Sequence, residues 1–298
     1  MKKDCLNKKL SNNILSLSQI AAEAKKNNPN VINATIGMLN DSNDDFYMFD
    51  AVSEVLKTIP PYESFSYADT DGGEKFKNAV LKWVFDYYLD RFLQSHHVGV
   101  ISTPGGSGAI ATTFQNYLNP DDLVMVPAVM WETYITLAKE RGCDVCKYQL
   151  YDENKNFNIT SIREKIIELM PKQESIILVI NDPCHNPTGF CMKDSDYDDL
   201  INLLNEFDYP FILLMDVAYF DFYDVDSNII RNRFAKLSRL KDNVLINFAF
   251  SGSKSFGLYG LRIGANIMFS KEEEEIINFT NAITYTARSN WGSSSRMG

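Results

Sequence analysis

Histidine, tryptophan and cysteine are scarce: the 298 residues hold three, three and five of them. Five thiols (Cys5, Cys143, Cys146, Cys184, Cys191) are too few and too scattered for a disulfide scaffold, and the odd count leaves one unpaired. Three histidines (His96, His97, His185) make a poor ligand supply for zinc, and no second pair accompanies Cys143-Asp144-Val145-Cys146. Positive charge is also in deficit, 29 Lys+Arg against 39 Asp+Glu, a net charge of −10. Neutralising a phosphate backbone takes a basic face, so nucleic acid is not the expected partner. The longest apolar runs, 176–180 and 211–215, are five residues each, where a membrane span needs about eighteen. Met1-Lys2-Lys3-Asp4 carries charge but no apolar stretch follows it, so no signal peptide is expected. These absences describe a reduced, soluble, cytoplasmic protein without metal.

What is present is the balance of an ordinary globular chain, 45% hydrophobic and 23% charged. At this length folding buries roughly three quarters of the unfolded surface, so the core needs no staple. No internal period is visible. Residues 1–42 read as an N-terminal arm and a small-domain segment, and 43–298 as one large domain. In the large domain short apolar runs at 98–102, 123–127, 175–181, 211–216, 244–251 and 264–269 predict strands. Helical patterns at 74–93, 108–118, 132–141, 162–169, 197–205 and 271–287 separate them. Short strands rich in Val, Ile and Leu between longer helices indicate an α/β fold, a mostly parallel sheet covered on both faces. In such sheets ligands sit beyond the C-terminal strand ends, which singles out four loops.

Thr103-Pro104-Gly105-Gly106-Ser107-Gly108-Ala109 lets the backbone approach an anion at a helix N-terminus. Gly106, Gly108 and Ala111 also match G-x-G-x-x-A, but the next strand runs into Pro127 and Ala128 rather than the acidic residue of a dinucleotide site. Asn181-Asp182-Pro183-Cys184-His185-Asn186-Pro187-Thr188-Gly189 is either a plain turn or a frame for the Asn186 amide. Asp216-Val217-Ala218-Tyr219 puts a carboxylate at the end of a buried strand, where it needs a cation or donors; helix capping is the other use for it. In the stretch from Ser251 to Gly264, Lys254 lies between small residues that can desolvate it into an amine nucleophile. Arg262, eight residues on, is a fork suited to phosphate. Together the loops answer the needs of pyridoxal phosphate: a Schiff-base lysine, a carboxylate for the pyridine nitrogen, and a phosphate cradle.

The motifs resemble the class I aminotransferases of the aspartate and aromatic group, fold-type-I pyridoxal phosphate enzymes. They run in family order: Tyr67 in Ser66-Tyr67-Ala68-Asp69, Gly106-Ser107-Gly108, Trp131, Asn186-Pro187-Thr188-Gly189, Asp216-Val217-Ala218-Tyr219 and the Lys254 segment. The resemblance implies a three-layer α/β/α large domain plus part of a small domain. It makes Lys254, Asp216 and Tyr219 the catalytic residues. The cofactor would be held by Gly106, Ser107, Gly108, Trp131, Asn186, Asp216, Tyr219, Ser251, Ser253, Lys254 and Arg262, with Tyr67 reaching the phosphate of a neighbouring subunit. Gly37, Trp131, Asn186 and Arg288 would meet the substrate, Arg288 by crossing a homodimer to a side-chain carboxylate. Helix-terminal placement is an equal account of Arg288 on its own. The family's C-terminal segment, which supplies the arginine for the substrate α-carboxylate, has no counterpart in these 298 residues. The expected activity is transfer of an amino group between an aromatic or dicarboxylic α-amino acid and a 2-oxo acid such as 2-oxoglutarate. A β-lyase reaction on the same scaffold and a cofactor-binding fragment with little turnover are the alternatives.

Overall fold

The computed structural model describes residues 13–43, 45–223 and 226–298; the readings of Met1-Lys2-Lys3-Asp4 and of Cys5 lie outside them. The chain divides into two compact units, Met1–Met48 and Phe49–Gly298. The first holds helix α1, Asn13–Asn27, whose last turn carries Lys25 and Lys26 where the helix dipole favours cations. Beyond it, Asp41 Oδ1 accepts the N–H groups of Asn43 and Asp45 in a tight turn closed by an Asn40–Phe46 bridge.

The second unit opens with short helices α2 (Asp50–Thr58) and α3 (Pro61–Phe65), then α4 (Gly73–Phe85) and α5 (Leu89–Leu93). The single helix expected over 74–93 is therefore broken, by a tight turn at Asp86–Tyr88 that starts with Asp86 in a left-handed conformation, φ 48°. Among the described residues seven strands follow: β1 His97–Pro104, β2 Leu123–Pro127, β3 Asp144–Tyr148, β4 Ile176–Asn181, β5 Phe211–Asp216, β6 Val244–Ser251 and β7 Ile263–Ser270. They form one sheet in the order β1-β7-β6-β5-β4-β2-β3, parallel except for β7, which runs antiparallel to both neighbours. Strand β3 was not foreseen; its short edge, half exposed around Cys146, lacks the continuous apolar run that marks β4 and β5.

Alternation along the central strands splits the core into two layers. Ile176, Leu178, Ile180, Leu213, Met215, Ile246, Phe248, Ile267 and Phe269 face one side. There α4, α5, α8 (Ile159–Leu169), α9 (Asp194–Glu206) and α10 (Ser227–Lys236) cover them. Ile177, Val179, Ile212, Leu214 and Met268 face the other, under α6 (Gly105–Tyr117), α7 (Thr133–Lys139) and α12 (Glu273–Asn290). Burial on both faces is what a mostly parallel sheet requires. Helix α10 also escaped the sequence reading, because its polar face is long; Asp226 starts it by accepting the Asn228 N–H at 2.9 Å. Among the described residues no helix is long and apolar enough to cross a membrane.

Candidate active site

Register brings the loops together. Asn181 pairs with Asp216 at the ends of β4 and β5, and Asp216 with Ala249 near the end of β6. Because β7 reverses direction, β1 runs with β6, and Pro104 lies opposite Ile263 at the same edge. The β4 loop, Asp216, the Lys254 turn and the start of α6 therefore share one edge of the sheet.

Helix α6 begins Gly105-Gly106-Ser107-Gly108, with no acidic residue in its first turn and no side-chain cap. Its first N–H groups have no intrahelical acceptor, which suits an anion. Gly105 has φ 75°, and a Cβ there would meet the Arg262 guanidinium at 2.4 Å; one on Gly264 would overlap the Gly105 carbonyl carbon at 2.3 Å. Glycine at both positions lets β7 and the α6 start approach closely and keeps Arg262 over the loop. Arg262 Nη1 donates to Ser253 Oγ at 2.9 Å and to the Tyr259 carbonyl at 3.1 Å. Ser251, in turn, caps α11 (Gly252–Ser255) by accepting the Ser253 N–H.

Lys254 lies in that short helix, half-buried, its Nζ 4.9 Å from the Tyr259 ring centre and 5.5 Å from that of Tyr219. Burial, and then the Arg262 charge, lower its pKa from the usual lysine value, the direction an amine nucleophile needs. Asp216 is buried, and burial raises its pKa; the Tyr134 hydroxyl and the Ala218 N–H, which donate to it, act the other way. Tyr134 Oη stands 2.5 Å from Asp216 Oδ2. Trp131 meets Tyr134 edge to face, ring centres 5.4 Å apart. Neither Tyr134 nor Tyr259 was singled out from sequence. The Trp131-x-x-Tyr134 spacing at a helix start was the available signal.

The β4 loop is pinned from inside. Asn181 Oδ1 accepts the Asn186 N–H at 2.7 Å while Asn181 Nδ2 donates to the Asp216 carbonyl. Asn186 is half-buried, at the same edge as Lys254 and Asp216. Tyr67 and Arg288 are both exposed, Tyr67 at 92% and Arg288 in the last turn of α12. The main chain of Tyr67 is held by Arg296, whose guanidinium also binds Glu63 at 2.5 Å. Gly37 belongs to the first unit.

The profile of the family described as Aminotransferase class I and II matches residues 31–295. The chain belongs to that family. An aminotransferase from Anaerococcus prevotii has the same fold, with a TM-score of 0.92 at 29% identity, over 100% of this chain and 73% of that one. Among curated relatives, the aromatic-amino-acid aminotransferase of Escherichia coli is 26% identical over 277 residues, 90% of this chain and 66% of its own length. An aspartate aminotransferase of Pseudomonas aeruginosa is also 26% identical, over 88% of this chain and 65% of its own. The chain thus spans about two thirds of the length of the curated relatives it matches.

Members of this family use pyridoxal 5′-phosphate, and the residues here fit it. A donor-only helix start beside Arg262, a desolvated lysine and a buried carboxylate match the phosphate, the aldehyde and the pyridine nitrogen.

Proposed function

We propose that this protein is a pyridoxal-phosphate aminotransferase, moving an amino group between an aromatic or dicarboxylic α-amino acid and a 2-oxo acid such as 2-oxoglutarate. The observation that carries the reading is the convergence of Lys254, Asp216 and the α6 start with Arg262 on one sheet edge. When bound, pyridoxal phosphate supplies an electron sink that acidifies the α-proton of an amino acid. The phosphate would be held by the N–H groups of Gly106, Ser107 and Gly108, with Ser251, Ser253 and Arg262. Lys254 would carry the aldehyde carbon and, once released, take and return the proton at the substrate α-carbon. Asp216 would keep a proton on the pyridine nitrogen, Asn186 and Tyr219 would bond the ring oxygen, and Trp131 would cover the ring face.

Tyr67 and Arg288 are assigned to the active site of a second copy, which makes the working form a homodimer with shared sites. The exposure of both residues supports this. Gly37 is assigned to the substrate carboxylate, and the chain to the cytoplasm.

The test is the visible spectrum of the chain with pyridoxal phosphate, before and after single amino donors, then with 2-oxoglutarate. A protein-bound band that bleaches with aromatic or acidic donors and returns with the oxo acid is expected. Replacing Lys254 by Ala should abolish both the band and turnover. Release of pyruvate and ammonia without an oxo acid would instead point to β-elimination, and a band that no amino acid alters to a cofactor-binding fragment.

A further inference from the structure

Two cysteines that the proposed reaction does not use face each other at the base of the Asn186 loop. The turn closes on itself, the His185 N–H donating to the Phe190 carbonyl at 2.8 Å and the Gly189 N–H to the His185 carbonyl at 2.7 Å. This closure sets Cys184 and Cys191 side by side, with their sulfurs 3.8 Å apart and the Cys184 N–H donating to Cys191 Sγ at 3.2 Å. Both limbs are anchored just below: buried Asp182 accepts the Met192 N–H at 2.6 Å and the Tyr197 hydroxyl at 2.7 Å. Both thiols are free and half-buried. Cys143 and Cys146, by contrast, are buried.

We propose that Cys184 and Cys191 form an oxidation-sensitive dithiol, which a hydroperoxide converts to a disulfide that locks the Asn186 loop. A disulfide sulfur pair stands at about 2.0 Å, so the change needs a closure of only about 1.8 Å between side chains already in contact. The step balances with one hydroperoxide. The thiolate of one cysteine attacks the peroxide, breaking its O–O bond to leave a sulfenic acid and an alcohol, or water from hydrogen peroxide. The second thiol then attacks that sulfur, the S–O bond breaks, and water leaves with the second proton. Cys191 is the better first nucleophile. Burial pushes the Cys184 thiol up to about 12, and the neighbouring Cys191 adds to this. Burial raises Cys191 as well, and the Asp182 charge adds to this, but the Cys184 N–H and then the Arg233 charge oppose the rise.

This inference stands on sulfur geometry and needs no reading of the cofactor. Residues 173–193 contain no internal Lys or Arg and end in Lys193, so trypsin leaves both thiols on one fragment. The full chain, treated with hydrogen peroxide, alkylated and digested, should give that fragment two hydrogens lighter and unalkylated, while Cys143 and Cys146 still take up reagent. Amide hydrogen exchange over residues 185–190 should slow by threefold or more in the oxidised chain. Cys184→Ser and Cys191→Ser, each tested separately, should remove both effects. Alkylation of both thiols after peroxide, a linkage to Cys143 or Cys146, or loop exchange unchanged by oxidation would each overturn the proposal.

Discussion

The hydroxyl of Tyr134, at the start of α7, stands 2.5 Å from Oδ2 of Asp216 at the end of β5, and both side chains are buried. The Ala218 N–H donates to the same carboxyl at 3.2 Å. A buried carboxylate that loses a donor pays its desolvation cost, of order 1–3 kcal/mol. Tyr134→Phe should therefore lower stability by about that amount and shift the Asp216 pKa further up. Turnover should fall about tenfold through a weaker grip on the cofactor ring. Urea unfolding and steady-state kinetics check both, and a variant with unchanged cofactor affinity would deny Tyr134 its positioning role.

A second buried polar cluster seats helix α6 on the sheet. Asn247 on β6 accepts from Thr113 at 2.8 Å and donates to Asn266 Oδ1 on β7 at 2.5 Å. Asn266 Nδ2 donates back to the Ala109 carbonyl and to Thr112 in α6. Every member is fully buried, so Asn266→Ala strands several partners at once. A loss of about 2–4 kcal/mol is expected, since unmade buried hydrogen bonds cost more than made ones contribute. Thermal unfolding of the chain without cofactor reads it directly.

Gly264 allows the closest main-chain approach in the site. Its absent Cβ would lie 2.3 to 2.6 Å from three main-chain atoms of Gly105, with no flexible side chain to give way. Gly264→Ala should cost about 3 kcal/mol or more, at the upper end of overpacking effects. It should also weaken cofactor binding by displacing Gly105 from Arg262. Gly260→Ala is the control, because open space surrounds that position; equal losses from the two would refute the close-approach account.

Burial holds the His96 pKa near 4, with the Lys271 charge pushing the same way, against an ordinary value of 6.5. The folded chain then binds fewer protons than the unfolded one between those values, so the His96 contribution is complete above pH 6.5 and is lost as pH falls toward 4. At pH 4.5 the loss is on the order of 2 kcal/mol. Asp182, raised by burial to about 6, has the opposite sign: its contribution declines as pH rises through 6. His96→Asn should therefore narrow its stability deficit relative to the parent chain by about 2 kcal/mol between pH 7.5 and 4.5. Denaturant midpoints at the two pH values decide it; a constant deficit would mean His96 titrates normally.

By itself the sequence determined the class of fold and the family whose motifs its loops carry. Runs such as 176–180 and 211–215 are apolar on both faces, short and β-branched or bounded by turn residues, which marks them as central strands, and small residues around Lys254 are legible as a desolvated turn. Strand β3, helix α10 and the break at Asp86 were not legible: each is decided by what it packs against, not by its own pattern. Tertiary structure alone decided the partners. The reversal of β7 carries the start of α6 to the same edge as Lys254, and the fold puts Tyr134 on Asp216 across 82 residues. The same loop closure brings Cys184 to Cys191. The physical reason is common to all three. A residue's type states what contact it can make, but only burial and register state which group stands within hydrogen-bond distance to make it.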